Sequence, residues 1–223
     1  WIMNFIRKII LVAFCIFFIV CTYLLVNGYS LYKSVLKETS LEEKINEIRN
    51  KEDYTKIEDV SPDFLNAIVA VEDHRFYKHN GVDLISTVKA IFTNVKASSY
   101  VTGGSSITQQ LAKNMYFSQE KKMVRKIAEM FMAYNLEKNL SKNEILELYI
   151  NNIYYGSGYY SVYSASMGYF NKKPSELTLD EASLLAGIPN APSIYSLDVN
   201  PTLARQRQKQ VISAMKEYNY IND

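Results

Sequence analysis

A mainly α-helical domain behind one membrane-crossing helix is the fold class this sequence predicts, and three observations predict it. Residues 9–26 carry no charged side chain. A helix of that length, rising about 1.5 Å per residue, just crosses a hydrocarbon core of roughly 30 Å. Helix-start signals recur farther on: Ser141-Lys142-Asn143-Glu144 and Thr178-Leu179-Asp180-Glu181 are capping boxes, each ahead of an apolar periodic segment. Alternating strand patterns are hard to find, and Gly (8) and Pro (5) are scarce.

The apolar run is too long for the core of a cleaved signal peptide, and no small-x-small site follows it. Ile19 and Val20 precede Cys21 where a lipoprotein signal would carry small residues. The expectation is therefore an uncleaved anchor over residues 9–28, behind a short cytoplasmic tail, residues 1–8. Arg7 and Lys8 favour a cytoplasmic N-terminus, although Lys33 and Lys37 lie close on the other side. Both cysteines, Cys15 and Cys21, fall inside the apolar run, which leaves the outer part without a disulfide. Trp1 stands ahead of Met3, so the numbering need not begin at a natural start.

Residues 29–53 are polar and rich in Lys and Glu, which predicts a stalk or linker. A single domain follows over residues 54–223. Ser61 is a candidate cap, with Pro62 at the first helical position, where a missing N–H costs nothing. Residues 64–71 form an apolar helical run, and residues 84–95 a second, amphipathic one. Residues 97–104 read as a loop, after which Ser105 or Ser106 starts the next helix. Gly156-Ser157-Gly158 and residues 189–192 are breaks, and Asn200-Pro201 opens a last helix reaching about Tyr218. No internal repeat is found. At 223 residues the chain holds one domain of ordinary size plus a short appendage. A net charge of +2 gives no general attraction to nucleic acid.

The chemistry concentrates where the first apolar helix ends, at Glu72-Asp73-His74-Arg75-Phe76-Tyr77-Lys78-His79-Asn80-Gly81-Val82-Asp83. Adjacent carboxylates behind an apolar helix are costly unless paired, wet or useful. On their own they read as a solvated helix end. They are followed by Gly103-Gly104-Ser105-Ser106-Ile107-Thr108-Gln109-Gln110, and then by a basic segment in which Arg125 and Lys126 precede Glu129 by four and three residues. That spacing places all three on one side of a helix, which in isolation is an ordinary exposed ion pair. His74 and His79 lack further ligands at fixed spacing, and no zinc is assigned to them.

Taken in order, these motifs resemble the peptidoglycan glycosyltransferases, glycosyltransferase family 51, the polymerising half of class A penicillin-binding proteins and the whole of the monofunctional transglycosylases. The resemblance runs from Glu72-Asp73-x-x-Phe76-x-x-His79-x-Gly81-x-Asp83 through Gly104-Ser105-Ser106-Ile107-Thr108-Gln109-Gln110-Leu111-Ala112-Lys113-Asn114 and Arg125-Lys126-x-x-Glu129. It continues through Leu136-Glu137-Lys138, Ser141-Lys142-x-Glu144-Ile145-Leu146-Glu147-x-Tyr149-x-Asn151 and residues 207–212. Several long motifs in a fixed order are far more specific than any one of them.

The resemblance implies a lysozyme-like helical domain that polymerises lipid II, a disaccharide-pentapeptide on undecaprenyl pyrophosphate, into β-1,4-linked glycan. Catalytic roles fall to Glu72, as the base that takes the acceptor hydroxyl proton, and to Glu129, which positions the leaving group or a divalent cation, Mg²⁺ or Mn²⁺. The implied substrate-binding and pyrophosphate-binding residues are Asp73, Phe76, His79, Gly104, Ser105, Ser106, Thr108, Gln109, Gln110, Lys113, Asn114, Lys121, Arg125 and Lys126. Asp73 is expected to raise the pKa of Glu72 if both are desolvated. Ser106 replaces the usual Thr and keeps the hydroxyl. Lys121 stands where many members have Arg, which keeps the charge and loses the bidentate fork. Residues 84–100 are placed either in the headgroup region or against the domain core.

The expected partners are lipid II, the growing glycan strand, the bacterial cell membrane and other cell wall synthases, with the catalytic domain outside the cytoplasm. Three alternatives stay open. A glycan-cleaving, lysozyme-like enzyme needs flanking carboxylates but no cation cluster. A non-catalytic scaffold needs neither glutamate. A piece of a bifunctional penicillin-binding protein is the third; Ser-x-x-Lys occurs at Ser30, Ser34, Ser118 and Ser213, with no accompanying Lys-Thr-Gly.

Overall fold

A computed structural model describes residues 2–97, 103–118 and 122–222. The described residues are mainly helical and contain no strand. The α-helices are α1 (Ile2–Glu38), α2 (Leu41–Arg49), α3 (Pro62–Glu72), α4 (Leu84–Ala97), α5 (Ile107–Tyr116) and α6 (Met123–Asn139). They continue with α7 (Lys142–Ile150), α8 (Val162–Phe170), α9 (Leu179–Gly187), α10 (Pro192–Tyr195) and α11 (Pro201–Glu217). The mainly α fold with one long apolar N-terminal helix is the predicted one.

Two packing groups share one core. Helix α3 packs against α9 and α11, while α5 packs against α6 and α7. Phe64 and Ile68 from α3, Leu111 from α5, Met132 and Leu136 from α6, Leu148 and Tyr149 from α7, Leu185 from α9 and Val211 from α11 are all completely buried in that core. Each fully buried large apolar side chain contributes about 1.5–3 kcal/mol relative to exposure, so burial at these points fixes how the helices meet.

The capping boxes at Ser141 and Thr178 form as expected, and Asn200 caps α11 by accepting from the Leu203 amide at 3.0 Å. Ser61 does not cap α3. Its hydroxyl donates instead to the Leu177 carbonyl at 3.1 Å, tying α3 to the segment ahead of α9. Pro62 alone supplies the start signal.

The stretch expected as a stalk is instead part of the domain. Helix α1 runs unbroken through its apolar part to Glu38 and lies along α6. Tyr32, Val35, Leu36 and Leu41 pack on the core, and Ile45 and Ile48 of α2 are buried in it. The physical reason is spacing: Leu41, Ile45 and Ile48 recur at intervals of four and three, so nine polar-looking residues still present one apolar stripe.

Close approach of α1 to α6 depends on Gly28. A Cβ at that position would lie 2.4 Å from Ile127 Cγ2 and 2.6 Å from Ile127 Cβ. Overpacking of this kind costs about 1–3 kcal/mol. Gly28→Val should therefore lower the melting temperature of the full chain in detergent by several degrees, and Gly28→Ser by less. An unchanged melting temperature would show that α1 is not held to α6.

Helix α4 stands apart from the core. Leu84 (66 % exposed), Ile85, Val88 and Phe92 (71 % exposed) point outward, while Ala90 is buried. Of the two placements left open for this segment, core packing is excluded for these side chains. They form an exposed apolar stripe at intervals of three and four. The side chain of Ile91 and all of residues 98–102, within the expected loop, lie outside the described residues.

Candidate active site

Helix α3 ends at Glu72 because Asp73 leaves helical geometry (φ −159°), and this puts the Glu72 carboxylate at the mouth of two adjoining cavities. One, of ≈ 420 Å³, is lined by Gln110, Lys113, Asn190, Tyr195 and Arg207 among others. The other, of ≈ 380 Å³, lies against α4 and includes His74, Asp83, Lys89 and Tyr218. Val71, Glu72, Gly103, Ser105 and Gln210 line both, so a single groove passes Glu72 from either side.

Glu72 is nearly enclosed, its side chain 9 % exposed. Gln110 Nε2 donates to its Oε2 at 2.8 Å, and Tyr149 Oη donates to Gln110 Oε1 at 3.1 Å. The tyrosine thereby fixes which end of the amide faces the carboxylate. Among the described residues Oε1 has no hydrogen-bond donor, and the nearest cation, Arg207 Nη2, is 4.0 Å away. Burial raises the Glu72 pKa above the ordinary carboxylate value; the Gln110 bond, Arg207 and Lys113 oppose this, and Asp73 adds to it. The expected influence of Asp73 is therefore real but secondary to desolvation.

Phe76 and His79 hold the site together from behind, and Asp73, which lines the cavity against α4, does the same through its bonds. The Asp73 carboxylate accepts from His79 Nε2 at 2.9 Å and from the Ile107 amide at 3.1 Å, which pins the start of α5 to the end of α3. Phe76 is fully buried under the Lys142 ammonium, 4.4 Å from its ring centroid. A side chain with no exposed surface cannot touch a ligand, so the expected contact role of Phe76 is corrected to packing. Asp73, His79 and Asp83 bring ligand-type atoms within 4.8 Å of one another. Their bonds run inward, however: Asp83 takes Arg75 at 3.0 Å and Ser86 at 2.7 Å.

Ser106 and Gln109 are also structural. Ser106 Oγ accepts from the Gln109 amide, Gln109 Oε1 accepts from the Ser106 amide, and the Ser106 hydroxyl donates to the Gly81 carbonyl. Gly81 sits at φ +87°, where a Cβ would lie 3.1 Å from the Ala133 carbonyl, so a side chain there would be strained. Thr108 is buried and donates to Glu137 at 2.6 Å. Gly104 packs against Thr87 and Ala90 of α4, and Asn114 is half-buried on α5. Of the polar run at the head of α5, Ser105 lines both cavities, Gly104 and Ser106 line the one against α4, and Gln110 lines the other.

The cations gather on α6 and α5. Lys126 Nζ donates to Ser105 Oγ at 2.6 Å and to Glu129 Oε2 at 3.1 Å, and Arg125 pairs with the other oxygen of Glu129. Glu129 is only 1 % exposed, so it lies under the groove wall and not in the groove itself. Ser105 links the two carboxylates: it lines the groove beside Glu72 and holds the lysine bound to Glu129. Burial, with Arg125 and Lys113 nearby, pushes the Lys126 ammonium down to about 8. Burial and Arg125 also lower Lys113, while Glu72 opposes that. Lys121 lies outside the described residues.

Sequence reading missed Arg207, Tyr149 and Tyr195 as contributors to the site. Arg207 belongs to a motif that was noticed, yet nothing in its spacing ties α11 to the end of α3; the burial of Val211 and Met215 does that.

A family model described as transglycosylase matches residues 38–216. Penicillin-binding protein 1A of Neisseria gonorrhoeae is 47 % identical over 171 residues, covering 77 % of this chain and 21 % of that protein. Penicillin-binding protein 1F of Bacillus subtilis (strain 168) is 41 % identical over 166 residues, covering 74 % and 23 %. The chain thus spans about a fifth of the length of these curated relatives.

Proposed function

This chain belongs to the transglycosylase family, and from that premise we propose that it is a membrane-anchored peptidoglycan glycosyltransferase that polymerises lipid II. The observation that carries this reading is a nearly enclosed carboxylate with a raised pKa, Glu72, sharing one groove with Lys113 and Arg207, while Lys126 is joined to that groove through its bond to Ser105. In the proposed step Glu72 takes the proton of the acceptor GlcNAc 4-hydroxyl as that oxygen attacks C1 of the donor MurNAc. The C1–pyrophosphate bond breaks, and undecaprenyl pyrophosphate leaves. Attack from the face opposite an α-linked leaving group inverts the centre and makes the β-1,4 bond.

A raised pKa suits a base that must accept a proton and release it again near neutrality. Lys113 from α5, and Arg125 and Lys126 from α6, supply fixed positive charge where the diphosphate gains negative charge, and preorganised charge in a drained site is the largest contribution such a site makes. Glu129 holds the arginine and lysine in place. It fits a metal-ligand role poorly: one oxygen is engaged by Arg125 and the other by Lys126, so a divalent cation would have to sit beside two positive groups.

The apolar helix α1 anchors the protein in a membrane. A cytoplasmic N-terminus, with the domain on the outer face among other cell wall synthases, is part of the proposal. The exposed stripe of α4 would then meet the headgroup region, close to a substrate that cannot leave the bilayer.

Purified protein given labelled lipid II should produce lengthening glycan chains. Release of muropeptides from finished wall, with no chain growth, would instead support the hydrolase. The free-enzyme pH profile should be bell-shaped. The acid limb comes from protonation of Glu72, whose pKa is raised. The alkaline limb comes from Lys126 losing its proton near pH 8. Lys126→Arg, which does not titrate in this range, should move the alkaline limb upward; an unmoved limb would remove Lys126 from the leaving-group site.

A further inference from the structure

A second concave surface lies on the far side of α6. It is a groove of ≈ 660 Å³ between α1, α6 and the start of α4, lined mostly by apolar and aromatic side chains such as Leu25, Tyr29, Met130, Phe131 and Tyr134. Lys33 and Lys138 are exposed at its edge, and neither is paired with a carboxylate among the described residues. The Lys33 ammonium stands over the rings of Tyr29 and Tyr32, at 5.7 and 5.8 Å from their centroids. We infer that this groove binds an anionic phospholipid of the surrounding bilayer, with an acyl chain along the aromatic wall and the phosphate between Lys33 and Lys138.

Three observations commit the groove to that occupant. First, it continues the membrane surface. Leu25 belongs to the exposed apolar run of α1, and Leu84 belongs both to the groove and to the outward stripe of α4. Second, its polarity is graded along one axis. Residues 25 and 33 are about 12 Å apart along α1 at ~1.5 Å per residue, which separates an apolar floor from a positive rim as a lipid separates chain from headgroup. Third, α6 turns its back. At roughly 100° per residue, Ile127, Phe131, Tyr134 and Lys138 face away from Arg125 and Glu129. A lipid phosphate held at Lys138 is therefore not the phosphate held by Lys113, Arg125 and Lys126, and the occupant is bulk phospholipid rather than the substrate's own polyprenyl diphosphate. Basic pockets beside membrane helices recognise acidic headgroups in this way. The inference rests on the membrane anchor and not on the chemistry at Glu72.

The test uses the full chain in vesicles of equal phosphatidylglycerol and phosphatidylcholine, with Tyr134→Trp as a reporter in the groove and the unmodified chain, which has only Trp1, as background. Phosphatidylglycerol with brominated chains should quench the reporter more strongly than brominated phosphatidylcholine. Lys33→Gln and Lys138→Gln should each reduce that preference roughly five-fold, as expected for about one surface charge apiece. Both lysines are exposed, so the variants should keep the melting temperature and circular dichroism of the parent. Equal quenching by the two lipids, or a preference unchanged in the double variant, would overturn the inference. So would stronger quenching by a brominated polyprenyl diphosphate at the same mole fraction, which would assign the groove to the substrate. A parent chain that makes no glycan from lipid II but keeps the lipid preference would count against the function proposed above and leave the groove intact.

Discussion

Glu72→Gln should reduce lipid II polymerisation by 10²- to 10⁴-fold, the range a positioned general base supplies, while making the folded protein more stable at neutral pH. Both parts follow from one fact: the carboxylate is buried and its Oε1 has no donor among the described residues. Burial raises its pKa in the folded state, so between the ordinary glutamate value of 4.5 and that raised value the folded form binds more protons than the unfolded chain. Stability contributed by this group is thus complete below the ordinary value and is lost as pH rises through the raised one. At neutral pH the ionised carboxylate is a net burden. A glutamine keeps the shape and can still accept from Gln110, but it carries no charge to desolvate. The measurements are chain growth and thermal unfolding at two pH values: the variant should melt above wild type at pH 7, and the gap should close toward pH 4. Glu72→Asp, one methylene short of the groove, should retain part of the rate. A variant that still polymerises at the wild-type rate would remove Glu72 from the chemistry. One that melts well below wild type would make the residue structural.

How much of this was legible in the sequence depends on whether a residue acts on its own helix or across the fold. Arg125, Lys126 and Glu129 were readable because intervals of four and three settle their neighbourhood before any tertiary contact forms. The caps at Ser141 and Thr178 were readable for the same reason. Arg207 was not, because its place beside Glu72 depends on α11 packing against α3, a meeting of segments more than a hundred residues apart. The ordered motifs pointed to Asp73, Phe76, Ser106 and Thr108 without separating contact from support. Burial separates them: the side chains that hold α5 against α3 and α6 sit inside, and Ser105, Gln110 and Lys113 are left at the surface of the groove. The expected stalk failed for a different reason. Its Lys and Glu content outweighed three apolar residues at helical spacing, and those three decide where α2 lies.

Glu129→Gln is expected to have its largest effect on stability rather than on any metal. The glutamate is sealed between Arg125 and Lys126, so removing its charge leaves two cations facing each other in a poorly hydrated place, with Lys113 close enough to depress Lys126 further. Breaking a buried ion pair by deleting one partner costs about 3–5 kcal/mol. The lower end applies because the Lys126 side chain is 35 % exposed and can move toward water. For a domain of this size about 3 kcal/mol corresponds to a fall of roughly 6–12 °C in melting temperature. Lys126, having lost its nearest negative neighbour, should release its proton below the value of about 8 it has now, and the alkaline limb of activity should shift to lower pH. Inorganic diphosphate should raise the melting temperature of the variant more than that of wild type, because an anion then restores charge that the protein no longer supplies. A different result would assign the residue differently. If Glu129→Gln melts with wild type, and Mg²⁺ stabilises wild type but not the variant, the carboxylate is a metal ligand whose two cations swing aside on binding, and the cation-holding role assigned to it is wrong.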